Sequence, residues 1–162
     1  MFEISLQEKK AQPVVFIRTK VQIDMLPKLL EETDEKIKRY LKDTGIKATD
    51  TLYTRYHNAL PGIDVNGVND VNDIIDLEIG VPVSTEVQGN SELKSSVVPA
   101  GRYVTAMYKG DPDELETAYE GILKWIYEAD LKPAGAYFEY YYGENEDTPV
   151  EDFIAKIVVP VE

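Results

Sequence analysis

The sequence predicts an α+β domain made by duplicating a β-α-β-β unit, with curved antiparallel sheets and two main helices. Two helical stripes, one from Pro27 and one from Asp111, each stand between β-branched or aromatic runs. The chain also repeats itself. A shift of 85 places Pro27 on Pro112, Leu30 on Leu115, Ile37 on Ile122, Tyr40 on Trp125, Lys47 on Lys132 and Tyr56 on Tyr141. Later the shift becomes 78, placing Ile79 on Ile157 and Val81-Pro82-Val83 on Val159-Pro160-Val161, so the first hairpin loop is seven residues longer. Either strand set alone leaves one face bare, so the halves are expected to join their sheets, with a cleft near the pseudo-twofold axis. The repeats run over approximately 12–83 and 97–161, within a single domain of 1–162.

Taken in order, Phe2 to Leu6 alternates, and Val14 to Val21 is an apolar, β-branched strand. From Pro27 the period changes. Leu26, Leu30, Thr33, Ile37, Tyr40 and Leu41 fall on one helical face, with Glu31, Glu32, Glu35, Lys36 and Lys38 opposite and Gly45 as the stop. Strands are expected over Asp50–His57 and Asp73–Val83, around a polar loop holding Pro61-Gly62 and Asn66-Gly67. Ser95 to Tyr108 reads as a strand interrupted at Pro99-Ala100-Gly101. The run Asp111-Pro112-Asp113-Glu114 starts the second helix, with Asp as N-cap, Pro at the first position and Glu three after the cap. Its stripe is Leu115, Ala118, Ile122, Trp125, Ile126 and Ala129. An aromatic strand around Tyr137 to Tyr142 and a last strand from Asp152 to Val161 complete the repeat.

Composition removes several classes of function. With 162 residues the chain is long enough to bury a core, and its 30 acids against 17 bases give a net charge of −13. That balance speaks against direct nucleic-acid contact and against docking on anionic membranes, both of which need a basic face. There is no cysteine, hence no disulfide, thiolate metal site or Cys nucleophile. No signal peptide or span of transmembrane length is visible, and the cytoplasm is the expected location. His57 stands alone, without a second histidine or any cysteine, so no transition-metal site is expected and a surface or hydrogen-bonded role is. The run Asp64 to Asp73 has Gly67 in the wrong place for a calcium loop, and Glu144 to Asp147 reads as a solvated hairpin tip. No cofactor motif is present. Ser95-Ser96 has no His/Asp constellation near it.

The aromatic strand carries one acid. Alternation puts Tyr137, Glu139 and Tyr141 on one face and Phe138, Tyr140 and Tyr142 on the other. Glu139 is then either a solvated position on an open sheet face or the floor of an aromatic pocket that selects a cationic or proton-accepting ligand. Under the repeat its place is taken by Thr54, so the duplication preserves the core but not the acid.

The second half is similar to the GyrI-like small-molecule-binding domains, which also serve as effector-binding domains of multidrug-responsive bacterial transcription activators. Pro99-Ala100-Gly101-Arg102-Tyr103, Gly110, a helix with Tyr119 and Trp125, Gly135, Glu139-Tyr140-Tyr141, Pro149 and Val159-Pro160-Val161 carry the resemblance. It implies a pair of β-α-β-β units around an aromatic cleft that takes bulky apolar, often cationic or planar molecules. In the family an acid at the place of Glu139 meets the ligand's positive charge. The resulting expectation is a stand-alone binder, with no helix-turn-helix before Val14, that uses Glu139 as charge selector. Tyr137, Tyr141, Trp125, Tyr40, Phe16, Tyr56, Tyr103 and Phe153 would form the walls, with Tyr108 a further candidate.

Two alternatives stay open, both implied by the resemblance. One is a hydrolase of cyclopropanoid or similar electrophilic toxins with Glu139 as general acid/base. The other is a protein-interaction module such as a DNA gyrase modulator, or a subunit meeting a regulator, as a monomer or weak dimer.

Overall fold

The computed structural model describes residues 2–57, 74–110, 114–142 and 154–162. The expected polar loop, the calcium-like run, Asp111–Asp113, the hairpin tip, Pro149 and Phe153 lie outside the described residues. Strands β1 (Phe2–Lys9) and β2 (Gln12–Gln22) lead through a short 3-10 turn into helix α1 (Leu26–Thr44). Strands β3 (Tyr53–Tyr56), β4 (Ile74–Pro82), β5 (Lys94–Val98) and β6 (Gly101–Lys109) follow, then α2 (Leu115–Glu128), β7 (Phe138–Tyr142) and β8 (Ile154–Pro160). Helix α1 has Pro27 in its first turn, where its missing N–H costs nothing. It ends at Gly45, which takes the left-handed conformation (φ 72°) and donates its N–H to the Leu41 carbonyl.

All strand pairs are antiparallel, in the order β1-β6-β8-β7-β3-β4-β2-β5. The register obeys the repeat: Tyr53 faces Gly80 and Phe138 faces Val158, each pair related by the two sequence shifts. The isolated bridges Ala48–Val83 and Pro133–Val161 are related in the same way. The halves meet at β3–β7, where Thr54 lies directly opposite Glu139. The residues that the repeat equates therefore sit together on the pseudo-twofold axis.

The stretch read as one interrupted strand is two strands on opposite sides of the sheet, parted at Pro99-Ala100. This connection shapes the molecule. Flat, β5 and β6 would lie roughly 29 Å apart, six strand spacings of about 4.8 Å. Three Cα steps, Val98 to Gly101, reach at most about 11 Å. The turn at Lys10-Ala11 joins β1 to β2 over the same distance. Both edges are thus drawn toward each other, and the sheet curls into a half-barrel.

The curl gives the faces different cores. On the outer face α2 covers its own half, with Tyr119, Ile122 and Ile126 against Val104, Ala106, Tyr137, Ile157 and Val159. Helix α1 covers the other half, with Ile37 and Tyr40 against Val15, Val81, Val83 and Leu93. Each such aliphatic side chain contributes about 1.5–3 kcal/mol on full burial. The inner face has a cluster drawn from both halves: Val14, Tyr53, Tyr103, Phe138 and Val158. No helix contributes to that cluster. Ala129, assigned by periodicity to the stripe of α2, is instead its exposed C-cap.

Candidate functional site

Glu139 stands second in β7, on the face that α2 covers, and only 2% of its surface is exposed. Three hydroxyls surround it. Tyr119 of α2 donates to Oε1, Tyr141 donates to Oε2, and Thr54 approaches Oε2 at 3.5 Å from across the β3–β7 pair. Tyr137 stacks on Tyr119, ring centroids 6.1 Å apart. Tyr56, the repeat counterpart of Tyr141, senses the Glu139 charge, which together with burial (the larger cause) raises its pKa. Alternation in the strand thus places Tyr137, Glu139 and Tyr141 together, as the sequence predicts.

The electrostatics follow from this packing. Burial pushes the Glu139 carboxyl up to about 7, and the hydroxyls of Tyr141 and Thr54 pull it only partly back. Among the described residues no Lys, Arg or His nitrogen pairs with it. The Tyr137 hydroxyl is buried without a hydrogen-bond partner among the described residues, and its pKa is raised to about 12 by burial. The seam between the halves therefore holds a carboxyl poised near neutrality and an unused hydroxyl, walled by tyrosines.

Two open cavities occupy the other face, inside the curl. One, of about 400 Å³, runs from the Lys9–Gln12 turn past Asp50, Tyr140 and Lys156. The second, of about 430 Å³, runs past Phe16, Arg55, Glu78, Arg102 and Gly135. They share Val14, Val98, Pro99, Tyr103 and Phe138. A buried polar knot stands beside the second: Glu78 accepts from the Tyr53 hydroxyl at 2.5 Å and meets His57 Nε2 at 3.0 Å, with Arg55 at 3.7 Å. His57 is thus a hydrogen-bonded side chain. Gly80 makes this arrangement possible, since a Cβ there would lie 2.7 Å from the Tyr53 hydroxyl and 2.6 Å from the Val15 carbonyl oxygen.

The expected wall residues divide between the faces. Tyr103 lines both cavities and Phe16 the second, whereas Glu139, Tyr137, Tyr141, Trp125, Tyr40 and Tyr56 line neither. Trp125 is partly buried against the core under α2, and Tyr40 packs under α1 with its hydroxyl on the Gln88 carbonyl at 2.7 Å. Tyr108 packs with Ala118, Ala155 and Tyr141. Tyr119 is the contact to Glu139 that the sequence reading left out of its candidate walls. Its spacing from Ile122 and Ile126 marks it as a stripe residue, and only the docked helix shows where the hydroxyl goes.

The chain matches the GyrI-like small molecule binding domain over residues 2–162. No curated protein matches it. Among solved structures, the C-terminal domain of EcmrR is 21% identical with a TM-score of 0.76, covering 100% of this chain and 98% of that one. EcmrR in its DNA complex is also 21% identical with a TM-score of 0.77, over 99% of this chain, which spans 57% of that chain's length. SAV2435 bound to tetraphenylphosphonium is 13% identical, with a TM-score of 0.57 over 99% of this chain and 94% of the other. A hydrolase encoded by lin2189 from Listeria innocua is 11% identical, with a TM-score of 0.69 over 99% and 92%. At these identities the likeness is one of fold. Among the described residues, no helix is long and apolar enough to cross a membrane.

Proposed function

The chain belongs to the family of GyrI-like small molecule binding domains, and on that premise we propose that it takes up bulky, apolar or cationic aromatic compounds at the seam under α2, with Glu139 as charge selector. The observation that carries this reading is a fully buried carboxyl whose described partners are all hydroxyls. A lipophilic cation entering there supplies the missing counter-charge, and tyrosine faces add about 0.5–2 kcal/mol per good contact. Because Glu139 is closed off, the ligand gains access by parting α2, which carries Tyr119, from the sheet. The tetraphenylphosphonium bound by SAV2435 is a compound of the class proposed.

The test is a titration with tetraphenylphosphonium and with neutral triphenylphosphine oxide, followed by the emission of Trp125, the only tryptophan. The wild type is expected to prefer the cation and to release protons on binding it near pH 7, since the cation favours the ionised carboxylate. Glu139→Gln is expected to lose both the preference and the proton release. A preference unchanged in Glu139→Gln removes the charge selector.

The value near 7 also favours a second reading, in which Glu139 acts as general acid/base in opening an electrophilic ring. Product analysis of each bound electrophile separates the two. Turnover that disappears in Glu139→Gln identifies an enzyme, and recovery of every ligand unchanged identifies a binder.

A further inference from the structure

The cavity between the Lys9–Gln12 turn and β8 carries an unusual charge for this chain. Its lining contains Lys9, Lys10 and Lys156 against one carboxylate, Asp50, in a protein of net charge −13. Asp50 is already committed: Lys156 Nζ lies at 2.5 Å, the Tyr142 hydroxyl at 2.7 Å and the Thr51 amide at 2.8 Å. Lys9 is half-buried, and among the described residues no carboxylate lies within ion-pair distance of it. Burial first, and then the positive charge of Lys156, push its pKa down, and the charge of Asp50 only partly offsets them. Beneath these groups the floor is aromatic: Tyr140, whose ring lies 4.4 Å from Lys156 Nζ, with Phe138 and Tyr103 beyond.

The second cavity also holds two bases, Arg55 and Arg102, against Glu78, but the duplication shows that the Asp50–Lys156 pair belongs to one end of the trough. The shifts of 85 and 78 carry Asp50 onto Gly135, and Glu78 onto Lys156. The other cavity therefore has an acid where this one has a base. The equivalent positions of Glu78 and Lys156 thus carry opposite charges on either side of a shared apolar centre.

We propose that the Lys9–Lys156 cavity is a second binding site, on the face away from Glu139, for a planar aromatic carboxylate or sulfonate. The anion lies between the two ammonium groups and the ring rests on Tyr140, Phe138 and Tyr103. A volume of about 400 Å³ suits a bicyclic aromatic acid.

The test uses 2-naphthoate with two controls of the same shape, 2-naphthalenemethanol and 2-naphthylmethylammonium, titrated calorimetrically into the intact chain. Naphthoate is expected to bind about ten-fold more tightly than either control, an advantage that shrinks as salt is raised. Lys9→Met is expected to remove about five-fold or more of the naphthoate affinity while leaving the alcohol unchanged, and Lys9→Arg to restore it. Glu139→Gln is expected to leave naphthoate binding unaffected, so failure here is distinct from failure at the seam. In the wild type, intermolecular NOEs from naphthoate to the Tyr140, Phe138 and Tyr103 rings locate the ligand without any variant. The proposal is overturned by absent binding, by equal affinity for acid and alcohol, by indifference to Lys9→Met, or by NOEs to other rings.

Discussion

Replacing Glu139 by Gln tests the electrostatics of the seam independently of any ligand. In the unfolded chain the carboxyl titrates near its ordinary 4.5, and in the fold burial raises it to about 7. Below pH 4.5 both states are protonated and the group contributes nothing to pH dependence. As pH rises toward 7 the unfolded state ionises first, binding fewer protons than the folded one, so stability is lost across this window. A shift from 4.5 to about 7, at roughly 1.4 kcal/mol per unit, comes to about 3 kcal/mol lost by pH 8. The Tyr119 hydroxyl also favours the ionised form, which makes this an upper figure. Gln matches the size of Glu, accepts from one tyrosine hydroxyl at its carbonyl oxygen and donates to the other from its amide nitrogen, but does not titrate. Urea unfolding followed by Trp125 emission, at intervals from pH 4 to 8.5, gives both stability curves. Their difference cancels the background from the other carboxylates. The difference is expected to move by about 2–3 kcal/mol in favour of the variant between pH 4.5 and 8. Parallel curves would falsify the assignment of a raised pKa to this side chain.

Two further substitutions probe the inner face. Gly80→Ala puts a Cβ 2.6 Å from the Val15 carbonyl oxygen and 2.7 Å from Phe16 Cβ, forcing β2 away from β4. The expected cost is about 2–4 kcal/mol in urea unfolding, and a neutral effect would show that the strands approach less closely. Tyr53→Phe removes the hydroxyl donating to the buried Glu78 at 2.5 Å, and is expected to cost about 1–3 kcal/mol. Unchanged stability would mean that His57 and Arg55 satisfy that carboxylate alone.

Which residues are equivalent, and which share a strand face, is legible in the chain before any folding is considered. The shifts of 85 and 78 anticipate the register, and they pair Thr54 with Glu139, the two residues that meet on the axis. Pro27 and Gly45 mark the first helix because proline's missing N–H and glycine's tolerance of positive φ act locally. Alternation along β7 is local for the same reason.

Tertiary structure decided what each face meets. Nothing within Ser95–Tyr108 reveals that two residues carry the chain from one edge of the sheet across to the other side, since strand partners lie far away in sequence. That crossing curls the sheet, encloses Tyr103, Phe138 and Tyr140, and leaves the opposite face to the helices. Glu139 is dry because α2 docks over it and brings Tyr119 to its oxygen. Burial, and with it the carboxyl's pKa, is a property of all the atoms that displace water from a site, and most of those come from other parts of the chain.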